Sequence, residues 1–189
     1  VTLFCIGIAC SKSTDSDNTN STEQQQPPQN NDNNNDTPTT LPNNSFVHIT
    51  TNGKYTYIAD SYNSIGDGET VEISKEYWIC KFAVTNAEWR AYIDACGESA
   101  PRYWNNGEIP AGREKHPVLW VSYNAAEDYG RWLSSSNKEW LFRLPTQAEW
   151  EYAARGGKRS YGDKYAGGSD IDNVAWYGGN TSSLHPVGQ

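Results

Sequence analysis

Residues 143–157 read RLPTQAEWEYAARGG, and this run is delimited at both ends as a short helix. Thr146 followed three residues later by Glu149 spells a capping box, in which the hydroxyl accepts from the third helical amide while the carboxylate reaches back to the Thr amide. Pro145 fixes its own φ and has no N–H to lose, so it suits the extended entry. Gly156 and Gly157 permit a left-handed exit, and Arg155 stands near the negative end of the helix dipole. Trp150, Ala153 and Ala154 lie at i, i+3 and i+4, so the spacing predicts a buried face with Trp150 in the core.

The flanking sequence repeats this kind of signal. Thr85 and Glu88 form a second capping box, followed by Trp89, Tyr92, Ile93 and Cys96 at helical spacing and by Gly97 as a stop. A third helix is expected from Ser122 to about Leu133 with Tyr129, Trp132 and Leu133 inward. Upstream, Phe46 to Thr50 and Lys54 to Ala59 read as strands joined at Asn52-Gly53, a strong hairpin signal. Thr70 to Ser74 and Tyr77 to Val84 are further strands, with Trp78, Cys80, Phe82 and Val84 alternating onto one face that should be core.

The runs RLPTQAEWEYAARGG, KFAVTNAEWRAYI from Lys81, HPVLWVSYNAAEDYGRWL from His116, and DNVAWYGGN from Asp172 followed by HPVG from His185 occur in this order. Together they resemble the formylglycine-generating-enzyme, or sulfatase-modifying-factor, family over about residues 46–189. The resemblance implies an α+β, C-type-lectin-like fold with little regular secondary structure, and it implies a further segment after Gln189. Ala125 and Gly130 stand where relatives often carry Asp and Cys, and are expected to be packing changes. The family includes enzymes and non-enzymes, so fold alone does not assign chemistry.

The chain has 189 residues and a net charge of −8, with every Trp and Tyr beyond Asn44. Residues 11–44 contain Asn, Gln, Ser, Thr, Pro and Asp without an aromatic, a composition that cannot offset the entropy of ordering, and they are expected to form a disordered linker. Treated as a flexible chain, that linker would span about 30 Å. Residues 1–10, VTLFCIGIAC, are too short to span a bilayer and read as a signal-peptide remnant ending in a lipobox, with Cys10 as the acylated residue. Residues 45–189 are then the folded domain, expected to be truncated at its C-terminus. This organisation predicts an envelope lipoprotein, on the periplasmic or outer-surface face and held to the membrane by its lipid. Mild acidity in the domain argues against nucleic acid as a partner.

The candidate chemistry is sparse. Cys80 and Cys96 form no C-x-x-C; they are either a disulfide or buried free thiols. His48, His116 and His185 lie in separate segments and are expected to be structural turn residues rather than ligands. Asp163, Asp170, Asp172 and Asn173 make an oxygen-rich loop, readable as an Asx turn or as part of a calcium site. By resemblance the Asn173 side chain and the Val174 carbonyl match calcium-holding positions in some relatives. Formylglycine-forming relatives use a copper-binding cysteine pair in their C-terminal third, so copper is expected only if sequence outside this chain supplies that pair. No G-x-S-x-G, P-loop or dinucleotide fingerprint occurs. The expected function is a non-catalytic binding or scaffold module for an envelope protein; the alternative is a copper-dependent oxidase acting on a sulfatase cysteine.

Overall fold

The computed structural model describes residues 7–12, 46–56, 69–159 and 162–189. Most of the expected linker, the expected strand beyond Thr56 and residues 1–6 of the signal-peptide reading lie outside the described residues. The strands are β1 (Ala9–Lys12), β2 (Phe46–Ile49), β3 (Gly53–Thr56), β4 (Thr70–Ile73), β5 (Tyr77–Cys80) and β6 (Trp140–Arg143); the α-helices are α1 (Asn86–Cys96), α2 (Tyr123–Ser135), α3 (Gln147–Ala154) and the single-turn α4 (Ile171–Val174). One sheet has the order β2-β5-β1-β6 and is antiparallel throughout, and a second pairs β3 with β4. The α+β class is therefore as expected.

The helix boundaries follow the local signals. Both capping boxes form, with Thr85 accepting from Glu88 N and Thr146 from Glu149 N, and Gly97 closes α1 in the left-handed conformation at φ 70°. Trp89, Tyr92 and Ile93 of α1 are buried, and Tyr129 of α2 stacks on Trp89 at 5.4 Å between centroids and meets Tyr92 edge-on at 5.5 Å. Aromatic pairs at these separations join α1 to α2 through both area and ring electrostatics. Cys96, expected on the inner face, is exposed instead, because it falls in the last turn where the helix leaves the core.

Two expectations about packing are corrected. Trp150 is 55% exposed, while Ala148, Glu149 and Tyr152 are the buried residues of α3. The reason is electrostatic. Glu149 accepts from Arg143 Nη1 and Nη2 at 2.7 and 2.6 Å and from the Thr146 amide at 2.8 Å, and this clamp turns position 149 inward. Position 148 with position 152, one turn on, then covers the sheet and leaves Trp150 outside. The hairpin at Asn52-Gly53 does not form either: β2 pairs with β5, and β3 with β4. Gly53 does turn, at φ 88°, but Thr51 Oγ1 accepts from Gly53 N at 3.2 Å and donates to Ile73 O at 2.7 Å, steering the chain from one sheet to the other. Longer-range partners outcompete the local turn signal.

Strand β5 ends at Cys80, earlier than the alternation suggests. Trp78 and Cys80 pack against the main cluster and Val84 is buried, but Phe82 lies beyond the strand and is 40% exposed. Tyr77, on the opposite face, is 1% exposed and donates to Glu149 O at 2.5 Å, so both faces of the sheet are covered. One face meets α1 and α2; the other carries Ala9, Ile73, Tyr77, Ala148 and Tyr152. Gly130 is the packing position the sequence suggested: a Cβ there would stand 3.2 Å from Phe142 O, so a side chain would push α2 off β6. Ser134 Oγ accepts from Phe142 N at 2.8 Å, which satisfies an amide of this edge strand.

The largest departure concerns the N-terminal segment. Ala9–Lys12 is the inner strand β1, paired to β5 through Ala9↔Ile79 and Cys10↔Trp78 and to β6 through four residues from Ala9↔Arg143 to Lys12↔Trp140. Ile8, Ala9 and Cys10 are each 0% exposed. Ser11 and Lys12, read from composition as the start of the linker, belong to this strand, because their backbone groups complete the pairing with β6. No described helix is long and apolar enough to cross a membrane.

Candidate functional site

The N-terminus of α1 is fixed by a buried asparagine. Asn86 is 1% exposed; its Nδ2 donates to Arg113 O at 2.8 Å, and its Oδ1 accepts from Trp104 Nε1 at 3.1 Å and from the Tyr103 hydroxyl. Tyr103 Oη in turn accepts from Leu119 N at 3.2 Å, and Arg113 Nη1 donates to Leu184 O at 3.3 Å. A neutral amide thus ties α1 to the 101–119 loop, while Arg113 ties that loop to the C-terminal segment. Between them lies a cleft of about 290 Å³, walled by Asn86, Tyr103, Arg113, His116 and residues 182–184. His116 is 8% exposed, and its Nδ1 is buried without a hydrogen-bond partner. Burial, with the nearby Arg113 charge, lowers its pKa and favours the neutral ring. The cleft offers a guanidinium, serine hydroxyls and an uncharged imidazole, groups that bind polar ligands. Adjacent to cleft residue Leu119, Trp120 is 85% exposed at φ 59°, a backbone conformation that bulky residues rarely adopt.

The histidines do not converge. His48 lies in β2 rather than in a turn, stacked on Trp78 at 4.2 Å with Nε2 3.1 Å from Glu76 Oε2. His185 stacks on Trp176 at 3.9 Å, and its Nε2 is 2.8 Å from Thr181 Oγ1. The two His–Trp stacks join residues 30 and 9 apart in sequence, and neither pairing has a local sequence signal.

Cys10, Cys80 and Cys96 are free thiols. Cys10 and Cys80 sit on one face of the β1–β5 pair, where Cys10 opposes Trp78 and Cys80 N donates to Ile8 O at 2.8 Å. Burial pushes both thiols up to about 12, with their mutual proximity adding to the effect at Cys10. Cys96 is also raised, by burial and then by Glu98 and Asp128. Among the described residues no group of three His, Cys, Asp or Glu could hold a metal ion. Of the described thiols, Cys10 is buried in the sheet, Cys80 is half-buried in β5 and Cys96 is exposed at the end of α1, so these three do not offer copper an open pair, and no oxidative step is derived from them.

The acidic loop is organised as an Asx turn. Asp170 caps α4, its Oδ1 accepting from Asp172 N at 3.1 Å and its Oδ2 from Asn173 Nδ2 at 2.9 Å. Asp172 accepts from Tyr177 Oη at 2.9 Å, and Asp163 from Ser169 Oγ at 3.1 Å. The carboxylates bond to neighbouring donors within the loop, while Val174 packs near Gly167 and Gly168.

Comparison with known proteins agrees with this architecture. Residues 22–186 match the family model described as a sulfatase-modifying factor enzyme 1-like domain. Among curated proteins, the formylglycine-generating enzyme of Streptomyces coelicolor is 50% identical over 32% of this chain and 16% of its own length. The chaperone protein LppX of Paenibacillus barcinonensis is 56% identical over 54% of this chain and 44% of its own length. The hercynine oxygenase of Mycobacterium tuberculosis is 31% identical over 58% of this chain and 31% of its own length. The chain spans less than half the length of each of these relatives. With two capping boxes, a shared order of motifs and a family match over most of its length, this chain belongs to the sulfatase-modifying-factor, or formylglycine-generating-enzyme, family.

Proposed function

We propose that the protein is a cell-envelope lipoprotein whose sulfatase-modifying-factor-like domain, a C-type-lectin-like arrangement, acts as a non-catalytic binding or scaffold module. The observation that carries this reading is the placement of the domain thiols: Cys80 is packed into β5 and Cys96 is exposed in the last turn of α1, so the two do not form one reactive pair. Acylation of Cys10 would remove that third thiol from redox chemistry altogether. The membrane contact is the lipid on Cys10, the domain faces the periplasm or the outer surface, and the partner is another envelope protein. Calcium held by the Asn173 side chain and the Val174 carbonyl belongs to the same proposal as a structural ion for the acidic loop.

The second reading is a copper-dependent oxidase that converts a sulfatase cysteine to formylglycine, favoured by the 50% identity to a formylglycine-generating enzyme. It requires a cysteine pair beyond those described here. Incubating the full-length encoded protein with copper, oxygen and a peptide containing C-x-P-x-R separates the two by mass spectrometry. An unchanged peptide is expected. An aldehyde product would overturn the scaffold reading.

A further inference from the structure

The polar groups around the cleft over Asn86 fall into two sets. One set is fully engaged: the Asn86 amide is used by Arg113 O, Trp104 and Tyr103, and the Tyr103 hydroxyl both donates to Asn86 and accepts from Leu119 N. The other set is open. Arg113 commits Nη1 to Leu184 O and has no carboxylate partner among the described residues. His116 is buried with its Nδ1 unpartnered, a costly state for a polar atom out of water. Leu184 O also bonds the His116 ring. With Nδ1 unpartnered, that bond comes from Nε2, so the neutral ring keeps its proton there and Nδ1 is an acceptor. Both residues stand on a stiff loop: Asn86 N and Ala87 N donate to His116 O and Glu114 O at 2.9 and 3.0 Å, while Arg113 N to Pro110 O and His116 N to Arg113 O close turns at 2.9 and 3.1 Å. A cationic donor and a neutral acceptor are thus set in place before any ligand arrives.

We propose that this cleft binds a small hydroxy acid of the sugar-acid class, with the carboxylate on the Arg113 guanidinium and a neighbouring hydroxyl donating to His116 Nδ1. Each open group selects one part of the ligand. A half-buried guanidinium with no acidic side chain against it calls for an anion, and its planar fork matches a carboxylate. A neutral Nδ1 can only accept, so the atom facing it must carry a hydrogen: a carboxylate oxygen there would meet a lone pair, whereas a hydroxyl fits. Because Arg113 and His116 bond the same Leu184 carbonyl, the two groups that answer them belong to one small molecule. The apolar walls Pro110, Pro117 and Leu119 suit the C–H face of a sugar ring, and Ser182 and Ser183 add hydroxyls at the rim. A volume of about 290 Å³ stands at the small end for ligand sites and admits one ring rather than a chain of them. This site needs neither a lipid on Cys10 nor copper, and it gives the domain a small-molecule ligand beyond its proposed scaffold role.

The test uses the full-length encoded protein, labelled with nitrogen-15 at histidine, and galacturonate as the probe. Calorimetry is expected to show saturable binding, and the His116 Nδ1 resonance is expected to move upfield as its lone pair takes up a hydrogen bond. Galactose, which keeps the hydroxyls without the carboxylate, and acetate, which keeps the carboxylate without a hydroxyl, are each expected to bind at least about tenfold more weakly. Arg113→Gln is expected to weaken galacturonate binding at least about tenfold, with circular dichroism checking that the variant folds. If it does not fold, the three probes and the Nδ1 resonance on the unaltered protein decide alone. Galactose or acetate binding as tightly as galacturonate would overturn the proposal, as would a folded Arg113→Gln protein with undiminished affinity. Failure of galacturonate to bind saturably would also overturn it. An Nδ1 already hydrogen-bonded before galacturonate is added, and unmoved by it, would show that a water or the protein's own continuation occupies the cleft, and would overturn it too.

Discussion

Replacing Glu149 by Gln tests the clamp that orients α3. The side chain is 10% exposed and accepts three charge-assisted or capping hydrogen bonds at 2.6 to 2.8 Å, from Arg143 twice and from the Thr146 amide. A hydrogen bond to a charged group is worth about 1.5 to 3 kcal/mol, and breaking a fully buried ion pair costs about 3 to 5 kcal/mol. Arg143 is 44% exposed and keeps access to water, so the upper figure is discounted. Gln can still meet one donor while turning its own amide hydrogens towards the guanidinium. The expected cost near pH 7 is about 2 kcal/mol, or about 4 to 8 °C in Tm for a domain of this size. The pH dependence has a definite sign. Burial alone would raise the carboxyl pKa, but the Arg143 and Thr146 hydrogen bonds outweigh it and hold Glu149 below the ordinary range. Its contribution is present above the unfolded value, about 4.3, and is lost as pH falls through the lower folded value. Urea unfolding followed by far-ultraviolet circular dichroism at several pH values should therefore show wild type and variant converging in acid. A midpoint difference that is absent at pH 7, or that persists unchanged below the folded pKa, would refute the clamp.

Three further outcomes follow from the same structure. Thr146→Ala removes an N-cap and should cost about 0.5 to 2 kcal/mol, whereas exposed Trp150→Ala should cost less than about 1 kcal/mol, both read from thermal unfolding. Asn86→Ala leaves the buried Trp104 indole N–H and the Tyr103 hydroxyl proton without their acceptor and should cost about 2 to 3 kcal/mol in chemical denaturation. In unacylated protein carrying Cys5→Ser, a maleimide should label exposed Cys96 first at pH 8. Cys10 and Cys80, with pKa values raised to about 12, should react at least about tenfold more slowly until urea is added.

Features encoded within a few residues were legible in the sequence: both capping boxes, the Gly97 stop, the aromatic stripe of α1 and the close approach allowed by Gly130. Features decided by a distant partner were not. Periodicity within α3 cannot weigh Trp150 against a Glu149 drawn inward by Arg143, since the clamp sets the helix's rotation on the sheet. The Asn52-Gly53 signal predicts a turn correctly and its consequence wrongly, because strand pairing depends on residues 70–80. The cleft over Asn86 was illegible for the same reason: its walls come from residues nearly a hundred positions apart. Composition made residues 11 and 12 look like linker, although four apolar or small residues before them were enough to continue a strand.

The position of β1 also sets a schedule. Ala9 pairs with Arg143, so during synthesis the first strand of the sheet waits for its neighbour while 134 residues are added. At about 5 to 20 residues per second, that interval is roughly 7 to 27 s, far longer than a hairpin or helix needs to form. Throughout it, Ile8, Ala9 and Cys10 remain apolar and unsheltered by the sheet, within reach of whatever machinery recognises such a segment. On the lipoprotein reading proposed above, kinetic competition decided before the fold is complete would determine whether this segment is captured by a processing enzyme or becomes the middle of a sheet.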